Sequence, residues 1–416
     1  MTGAEQDVAV VARGTVSGRR SLPPLRAAIP AVIGVWALVL EIPRFVGMVQ
    51  HDPAVTDFRL FYVAALVGRT SGWSGIYDPG RQHAASLVFG QADAVITSSY
   101  TYLNPPLLAL LVTPLTALPL PAAFYVWTVI NIAAFVTAWL MAAPGTGVGR
   151  IAMLLVSLAL WPSIFSVERG QPVLLVYALA VGCWWMAARR REVEAGILLA
   201  IALAIKPQDV ALLPAVLLLC GFRRAAAWWL LTTVALWAFF AVLTGPTGLG
   251  TYLAVNAWAA SDPGYTAYPL TAPFGPAASL FAGQAVLSAA ALAGVWRQRR
   301  SWNVAFAIGL VGTLVSAVHV HEYDYVGLVV AAWLALGEPT SVIELAWMAI
   351  GVVCAQLPAI GIRLPIVLWQ PIWLAMLALR SVSAGRARVS LSPSQAARSD
   401  PAPPIGRPDG ASRSAR

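Results

Sequence analysis

The feature that most constrains this chain is a succession of apolar runs separated by short charged or proline-bearing stretches. Uninterrupted apolar runs of about 17–25 residues are what a bilayer-crossing helix requires. In hydrocarbon the backbone must satisfy its own hydrogen bonds, which leaves only helices and closed barrels. The strand-like alternation of a barrel is absent, so the runs read as helices. Charged residues are 11% of the chain and hydrophobic residues 59%, whereas soluble domains carry roughly 25% charge. The expected architecture is an all-α polytopic membrane protein.

We read a first span near residues 27–49, with Glu41 and Arg44 close to its outer end, and then a polar loop over 50–104. Further candidate spans fall at 105–118, 121–142, 150–165, 171–188, 193–205, 208–222, 225–244, 279–296, 303–318, 325–337, 341–358 and 364–380. About 12 crossings are expected across a transmembrane region of residues 27–380. Residues 1–26 read as a cytoplasmic tail. Residues 381–416, rich in Ser, Pro, Arg and Ala, read as a disordered cytoplasmic tail.

Net charge is +9, yet it does not argue for nucleic acid. Lys206 is the one lysine among 27 cationic residues, and the arginines cluster in short loops. That is how membrane orientation is encoded. Arg189 to Arg191, Arg223-Arg224, Arg297 and Arg299-Arg300 belong inside, which puts the 50–104 loop outside. Three apolar stretches lie between 104 and 168, while both ends belong outside. One of the two short ones, 105–118 or 150–165, is therefore expected to be re-entrant or partial. The three cysteines sit in separate apolar stretches without pairing or metal spacing and read as small core residues.

With this orientation four polar elements share the outer face. Asp57-Phe58-Arg59-Leu60-Phe61-Tyr62 opens the outer loop, with Phe58, Phe61, Tyr62 and Ala65 along one stripe of an expected interfacial helix. A carboxylate there can act as general base; it also suits a helix cap. Glu168-Arg169-Gly170-Gln171 is a polar turn whose arginine can hold a phosphate bidentately or pair with Glu168. Lys206-Pro207 interrupts an apolar run, and reads either as a point charge for a phosphate or as a snorkelling side chain. His319-Val320-His321-Glu322-Tyr323-Asp324-Tyr325 suits hydrogen bonding to a phosphate or sugar better than zinc, which usually takes three or four ligands. Tyr102-Leu103-Asn104-Pro105-Pro106 closes the loop and starts a helix. A P-loop, an Asp-x-Asp pair in the outer loop, a dinucleotide fingerprint and a Gly-x-Ser-x-Gly elbow are all absent.

In order, Asp57-Phe58, Tyr62, Ala64-Ala65, Gly75, Tyr77, Tyr102, Pro105-Pro106, Pro114, Gly170-Gln171, Gly196, Lys206-Pro207 and His321-x-x-Asp324 resemble glycosyltransferase family 87 over roughly residues 30–335. That family comprises polyprenyl-phosphate-dependent glycosyltransferases of the GT-C fold. It includes mycobacterial phosphatidylinositol-mannoside mannosyltransferases and a branching arabinofuranosyltransferase.

The resemblance implies transfer from a lipid-phosphate sugar donor at the outer face; no cofactor and no metal ligands are expected, and because side chains would hold the leaving-group charge a metal is optional. Asp57 would be the catalytic base. Lys206, His319, His321 and Arg169 would bind the donor phosphate, and Arg59, Tyr62, Tyr102, Gln171 and Asp324 would contact substrate. The expected partners are a polyprenyl-phosphate sugar, mannose first and arabinofuranose second, and a glycolipid or glycan acceptor in a bacterial plasma membrane. Direct displacement would invert the anomeric centre. The rival readings are a lipid or polyprenyl-linked sugar transporter, which would place polar residues at the bilayer midplane within internal repeats, and a non-catalytic envelope-assembly protein.

Overall fold

The computed structural model describes residues 24–51, 57–87, 101–261, 270 and 277–381. Most of both expected tails and the middle of the first outer loop lie outside the described residues. The described chain is helical, with no strand. In chain order the helices are α1 (Pro24–His51), α2 (Asp57–Ser71), α3 (Pro79–Ser86), α4 (Pro106–Val112), α5 (Leu120–Ala142), α6 (Gly147–Ala159), α7 (Trp161–Arg169) and α8 (Val173–Ala188). They continue with α9 (Glu192–Ile205), α10 (Leu213–Leu219), α11 (Arg223–Ser261), α12 (Ala277–Gln298), α13 (Trp302–Ser316), α14 (Val326–Leu336), α15 (Val342–Gln356) and α16 (Leu364–Leu379).

Two helices organise the packing. α8 lies between α5 and α9, and α13 lies among α10, α12, α14 and α16. Every residue of α13 from Val304 to Ser316 is buried. Helices in lipid gain little from hydrophobic exclusion against one another, so close approach at small residues matters. A Cβ added at Gly196 on α9 would fall 2.4 Å from the Ala225 carbonyl oxygen on α11, so those two backbones touch.

Four helices are long and apolar enough to cross a membrane: Ala28–Gln50, Leu120–Ala142, Arg223–Ala259 and Val342–Ile360. The bent pair α6–α7 makes a fifth if counted as one. Most of the other expected spans fold as shorter helices, so a count of about 12 full-length spans is not what the described residues give. α8 and α16, at 16 residues each, measure roughly 24 Å, against a hydrocarbon core of about 30 Å.

Between 104 and 168, where one of the stretches 105–118 and 150–165 is expected to be re-entrant or partial, one element is short and the other is bent. α4 and the turn after it, Thr113–Ala117, remain short. α6 and α7 are bent by 55°. The break at Leu160 is extended and Pro162 opens the second half. Gln356 of α15 satisfies the exposed backbone there. Its Oε1 accepts from the Trp161 N–H at 2.6 Å and its Nε2 donates to the Ala159 carbonyl at 3.3 Å. A broken helix at membrane depth survives only where other groups take up its freed backbone.

Two other features depart from expectation. α2 is buried on most of its faces, not along one stripe, because α3, α4 and the Thr113–Ala117 turn close around it. The expected span 225–244 is the first part of α11. Gly245, at φ 65° and ψ 178°, then turns the chain at a conformation open in practice only to glycine. Beyond Pro246 the helix runs on to pack against Trp73–Gly75.

Candidate active site

Asp57 is the first residue of α2, where helical N–H groups and the dipole favour a carboxylate. Its Oδ2 accepts a 2.7 Å hydrogen bond from Gln171 Nε2. The turn that presents Gln171 is fixed at several points. Gly170 adopts φ 67°, and the Gln171 N–H donates to the Ser166 carbonyl at 2.9 Å, closing the end of α7. Trp127 Nε1 donates to the Gly170 carbonyl at 2.7 Å. A Cβ at residue 170 would lie 2.6 Å from both Phe58 Cβ and Phe124 Cε2. Local backbone geometry therefore brings together two residues 114 positions apart.

A second cluster surrounds Lys206, at the break between α9 and α10. Its Nζ pairs with Asp324 Oδ1, lies 3.8 Å from Asp209 Oδ2, and sits 4.2 Å above the Tyr323 ring. Lys206, Asp209 and Asp324 are all buried. A buried lysine of this kind persists only when paired. Asp324 also organises its own turn. Its Oδ2 accepts from the His321 N–H at 2.8 Å, and its carbonyl accepts from the Tyr177 hydroxyl at 3.0 Å.

An aromatic row runs from α7 to the second cluster. Trp161 stacks on Phe165 at 5.1 Å between ring centroids, Phe165 on Tyr323 at 5.8 Å, Tyr323 meets His321 at 5.2 Å, and His321 meets His319 at 4.6 Å. Cations sit along this row. Arg44 lies 5.7 Å from the Trp161 ring and Arg169 5.0 Å from the Phe165 ring, with Lys206 over Tyr323. Each is within the range for a favourable cation–π contact. Glu322 accepts from Trp161 Nε1, and Glu168 pairs with Arg44 at 3.3 Å. The row therefore joins α1, α7 and the 319–325 turn. His321 lies in the loop between α13 and α14, where burial, with His319, Lys206 and Arg363 near it, pushes its imidazole down to about 3 against a partial opposing pull from Asp324. It is neutral at physiological pH.

The sequence-selected residues thus fall into two groups. Asp57 and Gln171 form the first cluster, while Lys206, Asp324, His319, His321 and Arg169 belong to the second and to the aromatic row beside it. Arg59, Tyr62 and Tyr102 are buried in the packing of the 50–104 stretch. Arg59 Nη2 donates to the Ser86 carbonyl at 3.3 Å, and the Tyr62 hydroxyl to the Leu118 carbonyl at 2.8 Å. The Tyr102 hydroxyl donates to the Pro105 carbonyl at 2.6 Å and accepts from the Ala109 N–H at 3.1 Å, securing the start of α4. In this structure those three side chains hold the loop together.

Sequence reasoning did not select Asp209, Trp127, Trp161, Phe165 or Tyr177. Asp209, three residues after the only lysine, carried a readable signal; the aromatic residues were indistinguishable from ordinary span residues. Among the described residues no three His, Cys, Asp or Glu side chains are grouped to hold a metal ion.

Comparison with known families matches residues 102–337, more than half of the chain, to glycosyltransferase family 87. The chain belongs to that family. It is a transferase, and its apolar helices make it a membrane-embedded one. No curated protein and no solved structure matches the chain. The matched stretch of the glycosyltransferase covers Arg169, Gln171, Lys206 and the 319–324 turn, while Asp57 lies upstream of it.

Proposed function

We propose that this glycosyltransferase moves a sugar, mannose in the first instance, from a polyprenyl-phosphate donor to a glycolipid or glycan hydroxyl at the outer face of a bacterial plasma membrane. The observation that carries this reading is the Asp57 carboxylate held in place by Gln171, on the turn that follows Arg169 in the chain. In the proposed reaction the acceptor oxygen attacks the anomeric carbon and its proton passes to Asp57. The bond from that carbon to the phosphate oxygen breaks, and polyprenyl phosphate leaves. Attack opposite the leaving group inverts the anomeric centre.

Charge develops on the departing phosphate, and fixed cations aimed there are usually the largest single contribution to such a rate. Arg169 is half-buried over Phe165 and is the more open cation. Lys206 is matched within its own cluster by Asp324 and Asp209, which leaves Arg169 to meet the phosphate charge, and His319 and His321 supply hydrogen bonds. The isoprenoid tail has a path along α1. An exposed apolar face formed by Ala31, Val32, Val35, Trp36 and Val39 lies on the same helix as Arg44, which stands over Trp161 and pairs with Glu168.

The test is transfer in membranes containing the protein, supplied separately with labelled decaprenyl-phosphate mannose and decaprenyl-phosphate arabinose. One donor should give product, and Asp57→Asn should reduce it by on the order of 10² or more while leaving the protein folded. Product from neither donor, with folded protein and native acceptor lipids present, would overturn the reading in favour of transport. Product from arabinose alone would replace mannose as the sugar.

A further inference from the structure

Gln171 is buried, with 7% of its surface exposed, and only one end of its amide is used. A carboxylate can only accept, so the contact to Asp57 fixes which end faces which way: Nε2 toward Asp57 and Oε1 beside it. That Oε1 is buried and accepts no hydrogen bond from any described residue. Elsewhere around the turn the backbone is well satisfied, through Trp127, Ser166 and the helix end. A buried amide oxygen left without a donor is costly, and native structures rarely leave one without a reason.

An amide's oxygen and nitrogen lie side by side. A hydroxyl donating to Oε1 therefore sits next to one donating to the carboxylate that Nε2 holds. On a carbohydrate, neighbouring carbons carry two hydroxyls at that kind of separation. We propose that Gln171 is a specificity-determining residue that reads the hydroxyl adjacent to the attacking one, so that the acceptor site takes a vicinal diol on a sugar or cyclitol ring. This rests on the reading of Asp57 as the base at an acceptor site. It adds that a lone alcohol is a poor acceptor, because it leaves Oε1 buried without a partner, and sites built to hydrogen-bond a substrate hydroxyl strongly reject analogues lacking it. Gln171 also has a positioning role, holding one oxygen of Asp57 so that the carboxylate cannot rotate.

The experiment measures binding apart from transfer. The full-length protein in nanodiscs is titrated with octyl mannopyranoside and octyl arabinofuranoside, and with each monodeoxy analogue of both. In one series, one monodeoxy analogue should bind on the order of 10-fold more weakly than its parent, and in Gln171→Met that difference should vanish. The Asp57→Asn variant should keep the discrimination while losing transfer, which separates this inference from the catalytic reading. A second readout follows the positioning role. Gln171→Glu sets another carboxyl against Asp57, so the acid limb of the transfer pH profile should move to higher pH. Equal binding of parent and all deoxy analogues, binding of none of them, or discrimination that survives in Gln171→Met would each overturn the proposal.

Discussion

Lys206 shows how expensive a single side chain can be in this fold. Its ammonium meets Asp324 and Asp209 with almost no water access. Removing one partner of a buried pair leaves an uncompensated charge and costs about 3–5 kcal/mol, whereas removing both partners can be close to neutral. Lys206→Met should therefore lower the thermal unfolding midpoint in detergent sharply, and adding Asp324→Asn should recover a large part of it. A single variant as stable as the native protein would show that the pair contributes nothing. His321 gives a pH signature. Its folded value is depressed to about 3, against about 6.5 for a free imidazole. Between those values the unfolded chain binds more protons, so stability rises with pH across that window. Unfolding midpoints should fall as pH drops from 7 toward 4, and His321→Gln should flatten that decline.

At the scale of elements, the decisive piece is the turn from α7 into α8. Gly170 is needed twice, for its positive φ and for the lack of a Cβ against Phe58 and Phe124. Gly170→Ala should cost about 1–3 kcal/mol through overpacking. Activity per folded molecule should fall further than stability, since any shift of the turn moves Gln171 away from Asp57. Equal losses in both measurements would reduce Gly170 to a packing residue. The second part of α11 belongs to the same scale. It packs Tyr252 against Tyr77 at 5.0 Å, and Asn256 Nδ2 donates to the Leu103 carbonyl at 3.3 Å. The described parts of the 50–104 stretch are thus held from α11 as well as from within.

Across the whole molecule, the sequence disclosed helices, charge placement and the polar residues, because hydropathy and charge are local properties. It marked the break after Thr244, the proline at Lys206 and the tension between residues 104 and 168. It did not disclose the lengths at which apolar runs end as helices, since α8 and α16 look like full spans by composition. Nor did it separate Tyr102 and Arg59, which brace a loop, from Gln171, which reaches Asp57. Polar residues in apolar surroundings look alike until their partners are known, and the partners here lie far away along the chain.

That remoteness bears on how the protein is made. The broken backbone between α6 and α7 is satisfied by Gln356, 197 residues downstream of Ala159, and Lys206 finds Asp324 118 residues later. Synthesis runs from the N-terminus at roughly 5–20 residues per second, so these groups emerge about 6–40 s before their partners exist. During that interval the nascent chain carries an open helix break and an ammonium that has Asp209 but not yet Asp324 beside it. Both must be sheltered by the insertion machinery or kept at the water boundary. The middle of this enzyme therefore becomes a settled membrane structure only once its last helices arrive.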